Sequence, residues 1–342
     1  MMSENSGTKP SSIGQALSKH PVLILLIVLI IVPWIFQIWP IWTDILLFGL
    51  FAMAFNILLG QTGILSFGHA TFFGLGGYIT AMFLMEPYAI PRVPRWMGWI
   101  GIIVGVLAAT AGAIMVGALG LRRRGTYFAL ITLAFSQMFY FLFFTNFMIP
   151  TVTGPNFTGG DDGIIGVPTP PILTWVYWRT PITWYYFVLL VFISAIYVLR
   201  SISTSPAGEV LKAIRDNEQR VKLLGYNTDK FKLISFIISG LFSGLAGSLY
   251  TINIRFAHAA FFSYLLSGEV VIMTLFGGMG TFFGPFIGAI VYILLKDLVS
   301  MFTMHWMIIV GAIVMVMTWL YRGKGLLEII QEAVVPKLRR IR

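Results

Sequence analysis

The sequence has no cysteine, which excludes disulfide bonds, iron–sulfur clusters and thiol catalysis. Charge is also scarce, because Asp, Glu, Lys and Arg make up 11% of the 342 residues while hydrophobic residues make up 58%. A soluble domain of this size needs a more polar surface. The composition therefore predicts an all-α polytopic membrane protein.

Motifs that carry chemistry are absent as well. The sequence contains no G-x-x-x-x-G-K-[ST] phosphate-binding loop, no H-E-x-x-H and no G-x-S-x-G. Its four histidines, at positions 20, 69, 258 and 305, are scattered. A membrane-bound enzyme is therefore disfavoured, and we expect the chain to hold no nucleotide, cofactor or metal of its own.

Long apolar runs occupy most of the chain. A run of about 20 apolar residues crosses a bilayer as a helix, and the sequence predicts about ten such helices, with broken or re-entrant segments among them. The predicted spans are 22–39, 42–59, 70–85, 97–121, 126–149, 182–199, 232–254, 267–277, 285–304 and 306–321. The first is interpreted as a span and not a signal peptide, because no small-residue cleavage site follows it. The eighth is too short to cross alone unless it extends through the glycines after it.

The ten spans divide the chain into three parts. These are a polar leader (1–21), a transmembrane domain (22–321) and a basic tail (322–342). Two long connections lie within the domain, at 150–181 and at 201–232. Ten crossings place both termini on the same side of the membrane.

Lysine and arginine fix the orientation, because cytoplasmic loops carry an excess of both. The basic residues that fall on one side for ten crossings are Arg122, Arg123, Arg124, Arg200, Lys212, Arg215, Arg220, Lys222, Lys230, Lys232, Arg322, Lys324, Lys337, Arg339, Arg340 and Arg342. The opposite side has few, namely Arg92, Arg95, Arg179 and Arg255. We therefore expect both termini in the cytoplasm, and we attribute the net charge of +10 to cytoplasmic loops and not to nucleic-acid binding. The tail is interpreted as a solvated flank, with contact to anionic membrane lipid as the alternative.

Two glycine-rich segments interrupt the apolar sequence. Residues 60–69 read GQTGILSFGH, and no charged residue occurs from Ile45 to Met85. Residues 276–285 read FGGMGTFFGP. Irregular backbone at membrane depth is tolerated only where protein or a wet cavity satisfies it, and paired discontinuities indicate a transport pathway. The alternative is that these glycines allow close helix packing.

The remaining polar residues have structural interpretations. Residues 158–163, TGGDDG, predict turns, because the acidic pair Asp161 and Asp162 has no spaced companions of a calcium loop. His69 is interpreted as capping a broken helix, with contact to the solute as the alternative.

Four charged residues within or near the spans are candidates for an ion-coupled relay. They are Asp44, Glu269, Lys296 and Asp297. Adjacent residues do not face each other on a helix, so Lys296 and Asp297 are not expected to pair.

The charged segment 201–232 is the most specific feature of the chain. Ser205 is a good N-cap, Pro206 fits the first helical position, and Glu209 suits the positive end of the helix dipole. We expect two short helical pieces joined by a turn at Asp216–Asn217, with Gly225 ending the second and Asn227 or Thr228 capping the next span. The apolar stripe of these pieces comprises Val210, Leu211, Ile214, Val221 and Leu224. It packs either on its own bundle or in a groove of a partner.

Four segments together resemble the permeases of branched-chain amino-acid ABC importers. In the order of the family they are GQTGILSFGHATFFGLGGY (60–78), TGGDDGI (158–164), SPAGEVLKAIRDNEQRVKLLGYN (205–227) and GGMGTFFGPFIGA (277–289). The resemblance covers roughly residues 45–320 and leaves out the leader and the tail. Urea-type permeases of the same family share these motifs.

The resemblance implies an ABC importer permease fold in the bacterial or archaeal cytoplasmic (inner) membrane. It implies four kinds of partner: a homologous second permease, two ABC ATPase subunits that bind ATP and Mg²⁺, a periplasmic or lipoprotein solute-binding protein, and membrane lipid. The residues it assigns to coupling with the ATPases are Ser205, Glu209, Ala213, Ile214, Arg215, Asp216 and Asn217. The residues it assigns to the substrate pathway are Gly60, Gln61, Ser66, Gly68, His69, Gly277, Gly278 and Gly280.

These observations predict a permease subunit that imports a small polar solute, with branched-chain or other hydrophobic amino acids as the first expectation. A permease for urea, short amides or small carboxylates is the alternative within the family. A stand-alone carrier or channel is the alternative outside it. The scarcity of intramembrane acids and the docking-type segment 201–232 disfavour that second alternative.

Overall fold

The computed structural model describes residues 21–85, 98–123, 125–145, 158–169, 181–320 and 325. The helices are α1 (Pro21–Phe36), α2 (Trp39–Thr62), α3 (His69–Leu84), α4 (Gly98–Gly120), α5 (Thr126–Phe144), α6 (Pro181–Thr204), α7 (Pro206–Leu223), α8 (Thr228–Ile254), α9 (Tyr264–Gly277), α10 (Gly284–Ser300) and α11 (Trp306–Leu320). Two strands, β1 (Ile164–Ile165) and β2 (Phe256–Ala257), pair antiparallel. The leader, the tail apart from Gly325, most of the 150–181 connection, and Arg92, Arg95, Arg124 and Arg179 lie outside the described residues.

Each predicted span coincides with a helix, and α7 occupies the predicted connection between the sixth and seventh spans. Within the described ranges, five helices are long and apolar enough to cross a membrane, namely α2, α4, α5, α6 and α8. The eighth predicted span is the 14-residue α9, which ends at Gly277 and does not extend through the following glycines. The chain is thus a multi-pass membrane protein, and the count of ten crossings stays a prediction.

The centre of the core is α2. Every residue from Ile45 to Thr62 is buried, as expected for a helix that is apolar on all sides. It packs against α6, α8, α9 and α10, while α3 packs between α4 and α8. The outer helices instead expose apolar side chains, such as Leu107 on α4 and Ile308 on α11. These exposed faces suit contact with lipid.

The connection around residues 158–169 is a tight turn, as predicted. Gly159, Gly160 and Gly163 have positive φ angles, which glycine adopts without steric cost. The Asp161 carbonyl accepts a hydrogen bond from Nε2 of His258 at 2.9 Å. Asp161 and Asp162 lie in this turn.

Candidate functional site

Helix α7 begins as its sequence predicts. The Ser205 hydroxyl accepts a hydrogen bond from the Gly208 amide at 3.3 Å, and Pro206 occupies the first turn. Glu209 lies in that turn and forms an ion pair with Lys212 at 2.7 Å. Both features stabilise the positive end of a helix, so local interactions favour the start of α7 at this position.

A kink divides α7 into two pieces. Asn217 departs from helical geometry with φ −159° and ψ 95°, and its side-chain oxygen accepts from the Arg220 amide at 3.0 Å. Asn217 therefore ends the first piece and caps the second, which confirms the predicted turn. Gly225 follows the second piece with φ +88°, and Asn227 caps α8 by accepting from the Lys230 amide at 3.1 Å.

The apolar stripe of α7 faces the bundle. Leu211, Ile214 and Val221 are buried, whereas Leu224 is 71% exposed. Most of the stripe therefore packs on its own bundle, which was one of the two interpretations. Leu224 lies outside the buried part of the stripe, and Ile214 is buried while its neighbours Ala213 and Asp216 are exposed. The coupling role of these residues stays a prediction.

The first glycine-rich segment lies directly against α7. The Arg215 guanidinium donates to the Gly60 carbonyl at 2.6 Å, which is one of the carbonyls at the end of α2 that lack a helical partner. The Gln61 amide donates to the Ser203 hydroxyl at 2.5 Å. Gly63 turns the chain with φ +71°. A charge-assisted bond therefore joins α7 to the end of the core helix α2.

A second link joins α7 to α8. The Glu218 carboxylate forms ion pairs with Lys232 at 2.7 Å and with Lys222 at 3.1 Å, and it accepts from the Thr228 hydroxyl at 3.2 Å. Lys232 is 8% exposed, so this pair is largely removed from water. The ion pair between Glu218 and Lys232 was not predicted from the sequence, because the two residues are 14 positions apart across a turn and follow no helical spacing.

The segment from Gly63 to Gly68 separates α2 from α3, as predicted for a broken helix. The Ser66 hydroxyl is buried and accepts from the Gly68 amide at 3.2 Å. His69 is fully buried among Phe55, Phe72 and Phe236, and its Nε2 lies 2.8 Å from the Ser239 hydroxyl. The prediction that His69 caps the helix is wrong, because Gly68 occupies the cap position without a side-chain bond and the imidazole points into the core.

The second glycine-rich segment contacts the first. The Asn56 side-chain amide on α2 donates to the Thr281 carbonyl at 3.1 Å, and a Cβ added to Gly60 would lie 2.6 Å from the Met279 carbonyl oxygen. Gly277 packs even more closely on the Gly284 backbone. Gly60 and Gly277 therefore allow close packing, as one of the two interpretations predicts. The two glycine-rich segments contact each other and form one region.

Four buried polar atoms on α2 and in the first turn of α3 have no hydrogen-bond partner among the described residues. They are Asn56 Oδ1, Gln61 Oε1, His69 Nδ1 and Thr71 Oγ1. Buried polar groups are nearly always paired, so these atoms have unused capacity for hydrogen bonds. Gly278, with φ +107°, is buried beside this region, whereas Gly280 is exposed.

The four charged residues considered for a relay make separate contacts. Lys296 on α10 forms an ion pair with Glu269 on α9 at 3.5 Å and lies 4.9 Å from the Trp306 ring centre. Asp44 instead accepts from the Asn253 amide at 2.9 Å. Lys296 and Asp297 are not paired with each other, as helical geometry predicts.

Comparison with known proteins finds relatives among transport permeases. Residues 37–318 match the family described as "Branched-chain amino acid transport system / permease component". The chain is 26% identical over 344 residues to the high-affinity branched-chain amino acid transport system permease protein LivM of Escherichia coli, covering 93% of this chain and 77% of that protein. It is 26% identical over 298 residues to a probable branched-chain amino acid transport permease protein LivM of Methanocaldococcus jannaschii, covering 75% and 81%. It is also 30% identical over 137 residues to the ribose import permease protein RbsC of Haemophilus influenzae, covering 39% and 37%. No solved structure matches significantly.

Proposed function

The chain belongs to the branched-chain amino acid transport system permease family, and on that premise we propose that it imports a branched-chain amino acid into the cytoplasm. In this proposal it is the passive membrane subunit, and ATP with Mg²⁺ binds to two partner ATPases. A homologous second permease and a solute-binding protein complete the assembly. Both termini lie in the cytoplasm of a bacterial or archaeal cell.

The observation that carries the proposal is the two-sided contact of α7. Its outward side presents Ala213 and Asp216, which are exposed, to a partner. Its inward side holds the core helix through Arg215 and Gly60. A short amphipathic helix in a connection between two membrane helices is suited to docking in a partner's groove.

The links to α2 and α8 suggest how a movement of α7 acts on the membrane helices. Nucleotide-driven motion of the ATPases displaces α7, and the bond from Arg215 to the Gly60 carbonyl transmits the displacement to α2. The ion pair between Glu218 and Lys232 transmits it to α8. Alternating access then arises as packed elements shift between discrete arrangements.

The uncharged interruption at Gly60–His69 fits a zwitterionic solute, which carries no net charge. The orphan atoms on Asn56, Gln61 and His69 offer hydrogen bonds without burying an ion, and half-helix ends add further donors and acceptors. Urea and short amides need the same kind of contact. The family and the LivM relatives favour a branched-chain amino acid as the solute.

The test uses the complex of this chain with the second permease and both ATPases, reconstituted in liposomes together with the solute-binding protein. We expect Arg215→Ala combined with Asp216→Ala to lower ATP-driven leucine uptake at least about fivefold, the effect of a coupling free energy near 1 kcal/mol. Arg122→Ala is the matched control, an exposed arginine at the same end of the bundle but outside α7. Unchanged uptake in the double variant would contradict the coupling role of α7.

A control without ATP separates the proposal from a stand-alone carrier. We expect liposomes containing this chain alone to take up no leucine above the empty-liposome level. Uptake by the chain alone, or uptake by the complex that is independent of ATP, would favour a carrier or channel instead.

A further inference from the structure

A small cavity lies beneath α7 at the cytoplasmic end of the bundle. Its volume is about 170 Å³, and its walls come from the first glycine-rich segment, the α4–α5 connection, α7 and the start of α8. A water occupies about 30 Å³ and drug-sized ligands need roughly 300 Å³ or more. The cavity therefore admits only a small solute.

One wall of the cavity is charged with both signs. Glu218 and Lys232, which form the ion pair between α7 and α8, line it together with Arg123. Arg123 is exposed and makes no ion pair with any carboxylate of the described residues. Among the described residues Arg123 is therefore a free cation for an anionic group of a ligand, and Glu218, which already pairs with Lys232 and Lys222, is the carboxylate that a cationic group would share with them.

Apolar side chains also line the cavity. They are Ile64, Leu121, Phe128 and Ile214, aliphatic or aromatic side chains of the kind that bind a hydrocarbon group. Phe128 and Ile214 are themselves buried. The cavity thus suits a hydrocarbon group, branched or unbranched, beside charged groups.

We propose that this cavity is a cytoplasm-facing binding site for a small zwitterionic amino acid with an apolar side chain. The carboxylate faces Arg123 and Lys232, and the ammonium group faces Glu218. The aliphatic side chain lies against Ile64, Phe128 and Ile214. The inference rests on the proposed function for its ligand class; the cavity shares the 60–69 segment with the proposed pathway, but it is lined by Thr62, Gly63 and Ile64 and not by the pathway residues named above.

Occupancy of this site couples the internal solute to transport. A ligand here contacts α7 and the segment after Thr62 together, so it stabilises the conformation in which they are close. A ligand shifts an equilibrium toward the state that it binds. The solute that accumulates in the cytoplasm therefore slows the next movement of α7, which is feedback by the transported product.

Equilibrium binding of radiolabelled L-leucine to the full chain in lipid nanodiscs tests the site. We expect Arg123→Gln to weaken binding about tenfold, which is the loss of one charge-assisted hydrogen bond near 1.4 kcal/mol, and Arg123→Lys to weaken it less. Arg122→Gln is the matched control, because Arg122 is exposed and does not line this cavity. Equal leucine affinity in the two glutamine variants would overturn the assignment.

A second arm checks which ligand group Arg123 recognises. Leucinamide, which lacks the carboxylate, is expected to compete about tenfold less well than leucine for the unmodified chain. In Arg123→Gln the difference is expected to shrink. A leucinamide affinity equal to that of leucine in the unmodified chain would refute carboxylate recognition.

The assembled complex separates this inference from the proposed function. ATP hydrolysis by the complex is expected to fall when leucine is added on the ATPase side, and to fall less in Arg123→Gln. If ATP-driven uptake is intact but leucine binding and ATP hydrolysis are the same with and without Arg123→Gln, the site is refuted and the proposed function stands. If the complex takes up no leucine at all, the proposed function fails first.

Discussion

Gly60→Ala tests the contact between the two glycine-rich segments. A Cβ at this position would lie 2.6 Å from the Met279 carbonyl oxygen and would also overlap the Asn56 side chain. Asn56 cannot swing away freely, because it is 4% exposed and its amide is bonded to the Thr281 carbonyl. The backbone of the second segment must therefore move.

The cost follows from overpacking. Inserting one extra carbon into a packed region costs typically about 1–3 kcal/mol, and at roughly 2–4 °C per kcal/mol this lowers the Tm by about 2 to 12 °C. Gly268→Ala is the matched control, because Gly268 also lies within a helix but has no atom within 4 Å of an added Cβ. There the exchange is expected to raise stability by about 0.5–1 kcal/mol through lower chain entropy and better helix propensity.

Thermal unfolding of the purified chain in detergent, followed by tryptophan fluorescence, measures both variants. The predicted shifts have opposite signs, which a general effect of adding a methyl group does not produce. Uptake by the assembled complex is expected to fall in Gly60→Ala and to stay unchanged in Gly268→Ala. A Gly60→Ala protein that matches Gly268→Ala in both measurements would refute the contact between the two segments.

Three further substitutions address the caps and ion pairs. Ser205→Ala is expected to cost about 1 kcal/mol and to speed hydrogen exchange in the first turn of α7, whereas Ser205→Asp, which retains a cap, should not. Glu218→Gln leaves the buried Lys232 ammonium unpaired and should lower stability by about 3–5 kcal/mol, seen in thermal unfolding, with Lys232→Met added to it restoring most of the loss. Lys296→Met should cost less, about 1–3 kcal/mol, since 35% of the Lys296 side chain stays exposed, and adding Glu269→Gln should recover it; no recovery would mean that the pair does not form.

The parts of the fold that follow local rules were predictable from sequence. Cap chemistry placed the start of α7 at Ser205, and the short polar pair Asp216–Asn217 placed the kink, which the structure locates at Asn217. Both depend on hydrogen bonds between residues two or three positions apart. The long apolar runs predicted the helices for the same reason, since hydrophobic length is a local property.

The long-range contacts of the candidate site could not be predicted in this way. Arg215 and Gly60 are 155 positions apart, and Asn56 and Thr281 are 225 apart. Nothing in either local sequence specifies the partner, because the contact depends on how the intervening helices pack. For His69, local sequence predicted a helix cap, but long-range packing buries the side chain against Phe55 and Phe72.

The apolar stripe of α7 shows how local and long-range effects combine. Helical periodicity correctly placed Leu211, Ile214 and Val221 on one face, and that face is buried. On the other side of the same turn Asp216 is exposed, so a force applied there reaches Ile214 within one turn of helix. Arg215 lies between the two faces and holds the core helix by its guanidinium. In the proposed function, the exposed side of this short, capped and kinked helix contacts a partner while its buried side and Arg215 contact the core helix.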